Sequence, residues 1–185
     1  MNHIIENIYL GDFNDAENNE LLVKNNIKFI FNVAIECKPS QNILNMGVII
    51  HKYNIYDDYD ITLDILKNIY NKIEVLTSLD GNVLIHCAHG RSRSVCIVLY
   101  YLMRKYNYSL EESLNIVKKI RPIVHPSPNY IKLLSIVDNK FNINVFYINY
   151  LQEELKIDMS TNDLLDIVKN QNYDLNKIVN TIMNF

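Results

Sequence analysis

A chain of 185 residues has room for one domain and a small appendage. Its 49% hydrophobic and 21% charged residues are those of a globular protein, which excludes a disordered or fibrous chain. The formal net charge of −3 argues against a general nucleic-acid binder, so no DNA partner is expected.

Three cysteines are too few for a disulfide framework and point to a reducing, intracellular setting, read as cytoplasmic with nuclear entry left open. Met1-Asn2-His3 opens without the basic and apolar regions of a secretory signal. No run reaches the ~18 apolar residues needed to span a bilayer, and neither end carries a lipidation signal.

Taken in order, Ile8-Tyr9-Leu10-Gly11-Asp12 reads as a strand ending in a turn. Ala16 to Lys24 reads as a short helix and Lys28 to Ala34 as a second strand. Ile35 to Gly47, holding Pro39, reads as a loop, and Val48 to Ile55 as a third strand. From Ile61 to Leu79, apolar residues at Ile61, Ile65, Leu66, Ile69, Ile73 and Leu76 keep a helical period. Asp80-Gly81-Asn82 turns the chain into Val83-Leu84-Ile85, a short buried strand. Val95 to Met103 is apolar nearly all round and reads as a buried helix.

Ser109 with Glu112 forms a capping box for a helix to Ile120, which Arg121-Pro122 ends. Pro126 and Pro128 keep the next segment extended, and a helix runs from Asn129 to Asn139. The tail holds three apolar-periodic stretches, Val145–Leu155, Asp163–Lys169 and Asp174–Met183. Strands alternating with helices predict an α/β fold, a mostly parallel central sheet flanked by helices, with a small helical C-terminal extension. Ligands of such sheets bind outside the carboxyl ends of the strands.

Between the central strand and the buried helix lies His86-Cys87-Ala88-His89-Gly90-Arg91-Ser92-Arg93-Ser94. A tight loop entering a helix N-terminus points several backbone N–H groups at one spot, where the helix dipole adds positive potential. Gly90 lets the backbone turn closely around an oxyanion, and Arg93 can grip two oxygens with its planar fork. The Cys87 thiol in this setting is expected to fall from about 8.5 towards roughly 3.5–7.5. A thiolate beneath a cradled phosphate is a nucleophile aimed at phosphorus. A Walker-type nucleotide loop is excluded, because no G-x-x-x-x-G-K-[ST] is present.

H-C-x-x-G-x-S-R-S resembles the signature of the cysteine-dependent protein tyrosine phosphatase superfamily. N-I-Y-L-G-D near the start, F-N-V-A at 31–34, Y-L-M at 101–103 and P-N at 128–129 look like its dual-specificity phosphatase branch. The likeness covers residues 3–140; the chain is too short for a classical tyrosine-specific domain, and the cysteine lies too far in for the low-molecular-weight type. The resemblance implies a metal-free, cofactor-free phosphatase acting on phosphotyrosine and phosphoserine or phosphothreonine in proteins. It implies Cys87 as nucleophile, Arg93 and the loop residues Ala88, His89, Gly90, Arg91 and Ser92 as phosphate binders, and Ser94 as support for the departing thiolate. A helix N-cap is the plainer reading of Ser94.

In the family a general acid comes from a loop about thirty residues upstream of the cysteine. Asp57 matches that position best, Asp58 is the alternative, and Asp60 reads as starting the next helix. His86 is read either as hydrogen-bonding within the loop or as a packed histidine. Asn129 matches a family asparagine that steadies the phosphate loop, or else simply begins a helix. Arg121 is read as an exposed structural arginine outside the site.

His89 and a basic Arg91 are less common in protein-directed members. They resemble lipid-phosphate phosphatases, and C-x-H-G resembles an RNA 5′-phosphatase branch, so both activities stand as alternatives. A phosphate-binding module without turnover is the non-enzymatic alternative. His3, His51 and His125 lack metal-ligand spacing, so no metal is expected. Cys96 reads as core, and Cys37 as inert or as a trap for an oxidised Cys87. The chain is divided into a catalytic domain, 1–140, and a helical extension, 141–185. The extension loosely resembles a ubiquitin-associated module, which would bring a ubiquitin or protein contact; packing on the domain or dimer contacts are the alternative.

Overall fold

The computed structural model describes residues 1–57 and 61–184. Asp58 and Asp60 therefore lie outside the described residues. The chain starts with β1 (Asn2–Ile5) and β2 (Ile8–Gly11), then α1 (Phe13–Ala16), α2 (Asn19–Lys24) and β3 (Ile27–Asn32). There follow α3 (Gln41–Asn45), β4 (Ile49–Lys52), α4 (Leu63–Thr77), β5 (Asn82–His86), α5 (Arg93–Lys105) and α6 (Leu110–Ile120).

The five strands form one sheet in the order β1-β2-β5-β3-β4. Only β1 is antiparallel to its neighbour; β2, β5, β3 and β4 run parallel. This is the mostly parallel α/β sheet that the alternating pattern predicts.

Val83, Leu84 and Ile85 of β5 are fully buried, as a central parallel strand covered on both faces must be. Helix α5 is buried continuously from Arg93 to Met103, which accounts for its apolar character on every side. The register pairs Gly11 of β2 and Asn32 of β3 with His86 of β5. Three strands thus end level, and the loop that leaves β5 starts at their shared carboxyl edge, where open parallel sheets bind ligands.

The differences from the sequence reading have local causes. The helix read over Ala16–Lys24 is α2, which starts only at Asn19, and a separate short helix, α1, ends at Ala16 ahead of it. Asp12 caps α1 and Asn18 caps α2, its side chain accepting from the Leu21 N–H, so the chain restarts instead of continuing. The loop with Pro39 contains α3, capped by Ser40. Strand β1 carries only two apolar residues and pairs at the sheet edge, so it leaves little periodic trace. The Ser109–Glu112 capping box is present as read.

The chain divides into two compact units, Met1–Ser127 and a second from Pro128 onward. The second holds α7 (Pro128–Ser135), α8 (Ile143–Asn149) with a π-turn over Tyr150–Glu154, α9 (Thr161–Asn170) and α10 (Leu175–Met183). Its own core is built on Tyr147, Leu151, Leu164, Val168 and Ile178. The Tyr147 hydroxyl donates to the Tyr173 carbonyl at 2.7 Å, giving this buried phenol a partner. Among the described residues, no helix is long and apolar enough to cross a membrane.

Candidate active site

The loop between β5 and α5 has six residues, 87–92, and each of its carbonyls is bonded on the outside. The Cys87 carbonyl faces His86 Nδ1 at 3.3 Å. The Phe13 N–H donates to the Ala88 carbonyl at 3.2 Å. Arg121 donates from Nη2 to the His89 carbonyl at 3.4 Å and from Nε to the Gly90 carbonyl at 3.0 Å. The His125 N–H donates to the Arg91 carbonyl at 2.8 Å, and the Cys96 N–H to the Ser92 carbonyl at 2.9 Å. With the carbonyls engaged outward, the amides turn inward, and those of Arg91 and Ser94 reach the Cys87 sulfur. This makes an anion-binding nest at a helix N-terminus.

Gly90 takes φ +62°, and a Cβ there would lie 2.5 Å from the Gly11 carbonyl oxygen and 2.7 Å from Arg121 Nη2. Only glycine satisfies both the backbone angle and the space.

Cys87 is buried on the floor of this cup. Burial pushes its thiol up, but the Ser94 hydroxyl, the Ser94 N–H, the Arg93 guanidinium and the Arg91 N–H together outweigh burial and leave it below its ordinary value. The Ser94 hydroxyl donates to Cys87 Sγ at 3.2 Å. Ser94 lies inside α5, and the N-cap position belongs to Ser92, so the capping reading of Ser94 is corrected.

His86 is buried, and burial drives its imidazole down to about 4 despite the contact with the Cys87 carbonyl. It is therefore neutral near pH 7. Facing a carbonyl, its Nδ1 must carry the proton.

Arg93 is the first residue of α5 and is only 3% exposed. Its fork makes a two-point ion pair with Glu36, with Nη1 to Oε2 at 2.8 Å and Nη2 to Oε1 at 2.5 Å. Nη1 also donates to the Ile55 carbonyl at 3.1 Å. The Arg93 hydrogen bond brings the Glu36 carboxyl down to about 2. Arg93 Nε–H is buried and has no hydrogen-bond acceptor among the described residues. Asp57 Oδ1 stands 3.7 Å from it. A buried donor without an acceptor is costly, and a phosphate oxygen in the cup would supply one.

Asp57, Cys87, His89, Arg91, Ser92, Arg93 and His125 line one cavity. The structure thus brings Asp57 to the cup alongside the loop residues. Asn129 is the second residue of α7 and lies in the second unit. Cys96 is wholly buried. Cys37 is also buried, and burial with the neighbouring Glu36 carboxylate raises its thiol.

Two side chains of this site are missed by the sequence reading. Arg121 is not exposed: it is 7% accessible and supplies two of the loop's outer bonds. It is anchored in turn by Asn2 Oδ1 at 2.8 Å and Asp12 Oδ2 at 3.2 Å. Its position just past α6 looks like a helix end, which conceals the role. Glu36 sits in the turn after β3, held by Lys52, whose Nζ donates to Asn32 Oδ1 at 3.1 Å and to the Cys37 carbonyl at 2.8 Å. Nothing local in the sequence marks Glu36, because its partner is 57 positions away.

A parallel sheet that delivers a buried cysteine, a serine bonded to its sulfur and an arginine fork to one amide-lined cup defines a cysteine-centred phosphate site. Residues 8–140 match the family model described as dual specificity phosphatase, catalytic domain, and the chain belongs to that family.

Among its relatives is the human protein phosphatase Slingshot homolog 3, 34% identical over 134 residues. That match takes in 72% of this chain but only 20% of that protein's length. Dual specificity protein phosphatase 1 of Arabidopsis thaliana is 29% identical over 143 residues, 76% of this chain and 70% of that protein. The crystal structure of human DUSP28 superposes with a TM-score of 0.69 at 24% identity, covering 76% of this chain and 96% of that one, and shows the same fold.

Proposed function

We propose that this chain hydrolyses phosphotyrosine and phosphoserine or phosphothreonine in proteins through a cysteinyl-phosphate. The observation that carries the reading is the lowered Cys87 thiol on the floor of a cup whose six loop carbonyls are all bonded outward. The nest amides and Arg93 hold the equatorial oxygens and stabilise the charge that develops on them. Cys87 Sγ forms a bond to phosphorus as the ester P–O bond breaks, and Asp57 protonates the departing oxygen. Water then attacks phosphorus, Asp57 takes its proton, and the P–S bond breaks with Ser94 donating to the leaving thiolate.

Relatives named as protein phosphatases support a protein substrate over a lipid phosphate or an RNA 5′-phosphate. The presence of Cys87, Arg93 and Asp57 in one cavity supports turnover over simple binding. A thiolate nucleophile suits a reducing compartment. For the chain's organisation, a catalytic domain over 1–140 with a helical extension over 141–185 remains the reading, with Asn129 steadying the loop.

Phosphate release from phosphotyrosine and phosphoserine peptides tests the function. Cys87→Ser should abolish release while retaining peptide binding. Asp57→Asn should cost about 10²–10⁴-fold on these peptides and far less on a nitrophenyl ester, whose oxygen leaves without a proton. Turnover by Cys87→Ser within tenfold of the parent, or an equal loss on both esters for Asp57→Asn, overturns the assignment concerned.

A further inference from the structure

The turn that carries Glu36 is closed by a side chain from the neighbouring strand. Lys52 ends β4, and its register partner is Asn32, the last residue of β3. From there its ammonium reaches across the turn. Nζ donates to Asn32 Oδ1 at 3.1 Å, to the Cys37 carbonyl at 2.8 Å and to the Ala34 carbonyl, with the Ile35 carbonyl at 3.4 Å. Asn32 completes the clasp. Its Nδ2 donates to the Cys37 carbonyl at 2.9 Å, and its Oδ1 accepts from the Ala34 N–H at 3.2 Å.

Four acceptor oxygens converging on one point need a donor between them. An ammonium, with three donors and a full charge, suits that point. Glu36 lies between Ile35 and Cys37, so carbonyls on both sides of it are drawn onto Lys52. The Glu36 carboxylate leaves this clasp and takes the Arg93 fork at two points. The Lys52 charge also favours the ionised carboxyl that this pair needs. Arg93 has a further acceptor in the Ile55 carbonyl, at 3.1 Å. Ile55 lies on the Lys52 side of the strand pairing, beyond β4, so what Lys52 adds to Arg93 passes through Glu36.

We infer that Lys52 is a positioning residue of the phosphate site: its four-oxygen clasp sets the Glu36 turn, and Glu36 sets the plane in which Arg93 meets phosphate. The inference rests on the phosphatase reading of Cys87 and Arg93 and adds a residue to it. Lys52 acts through the turn and not on the phosphate, since the cavity around Cys87 is lined by other residues.

The test is a double-mutant cycle of Lys52→Met and Glu36→Ala. It is read by kcat/KM on a small aryl phosphate and by the Kd of inorganic phosphate. Each single change is expected to lower kcat/KM about tenfold and to weaken phosphate by a similar factor, roughly one charge-assisted hydrogen bond. The double variant is expected to lose about tenfold as well, because Lys52 has nothing to deliver once Glu36 is gone. Lys52→Arg, which returns a cation to the clasp, should recover part of the loss in both readouts. A residue that only stabilises the fold gives neither the coupling nor the parallel change in phosphate affinity. If Lys52→Met does not fold, Lys52→Gln, which keeps donors but no charge, takes its place in the cycle.

Losses that multiply to about a hundredfold overturn the inference. So does a Lys52→Met or Glu36→Ala protein that binds phosphate and turns over like the parent. A loss shared in full by Lys52→Arg also overturns it, because the cation is then immaterial. If the parent releases nothing from the aryl ester while the phosphate affinities show the coupling, the phosphatase reading fails and the role of Lys52 stands.

Discussion

Arg93 illustrates how little of an active-site side chain's setting is visible from its neighbours in sequence. Its fork is held by Glu36 before any phosphate arrives, and that grip fixes the plane of the guanidinium in a buried site. Glu36 is half exposed, with 49% of its side chain accessible, so its charge is partly screened and its chief effect on Arg93 is orientation. Glu36→Ala is expected to lower kcat/KM on a small aryl phosphate about tenfold through loss of that orientation. Glu36→Gln, which keeps one acceptor oxygen, should lose less. Initial rates for the two variants decide this; an unchanged Glu36→Ala would mean that Arg93 is held well enough by the Ile55 carbonyl alone.

Arg121 acts on the same cup from behind. Its bonds to the His89 and Gly90 carbonyls hold two peptide planes with their amides inward. Arg121→Met should free those planes and weaken the field that lowers the Cys87 thiol. Alkylation of Cys87 followed against pH is the measurement. The midpoint is expected to move up towards about 8.5, the value of an ordinary thiol, and a midpoint that stays put would show that the other four outer bonds suffice.

At the scale of the elements, what was legible is what is contiguous. Helix α5 announces itself because burial on every side demands an apolar run, and α6 because its capping box is four residues long. The phosphate loop was legible for the same reason: its thiol, glycine and arginine fall within seven residues of one another. Strand β1 and helix α3 were not, since an edge strand and a five-residue helix bury too little to impose a period. Glu36 and Arg121 were missed because they meet the loop across 57 and 31 positions, through the sheet's topology and not through a local pattern.

The end of β5 also ties stability to pH. His86 has a folded value of about 4 against an ordinary 6.5, because burial disfavours its charged form. Between those values the unfolded chain binds a proton that the folded chain refuses, so stability rises with pH across the window and is lost on acidification through it. A shift of this size corresponds to about 3 kcal/mol, fully present above pH 6.5 and spent by about pH 4. Urea unfolding at pH 7, 5.5 and 4.5 is the check. The parent should weaken down this series, and His86→Gln, which cannot titrate, should weaken less. Parallel slopes for the two proteins would assign the acid sensitivity to other groups.

For the whole molecule, the chain divides at Ser127–Pro128 into two compact units, and the match to the family runs beyond that point to residue 140. The nest, the thiol, Arg93, Glu36, Asp57 and the Arg121 brace are all supplied by the first unit. The second unit has a core of its own on Tyr147, Leu151, Leu164, Val168 and Ile178. Ending the chain after Asn139 removes α8, α9 and α10 with that core and leaves α7 with Asn129 in place. The truncated protein is expected to turn over a small aryl phosphate within about threefold of the full chain, because a factor of three is less than the roughly tenfold worth of one charge-assisted hydrogen bond in the cup. Adding a further cut after Ser127 isolates α7: a sharp fall between the two truncations would place Asn129 among the residues that steady the loop, as the family resemblance implies. Equal activity in both would confine the chemistry to residues 1–127. A folded but inactive chain ending at Asn139 would show instead that the last three helices contribute to the site.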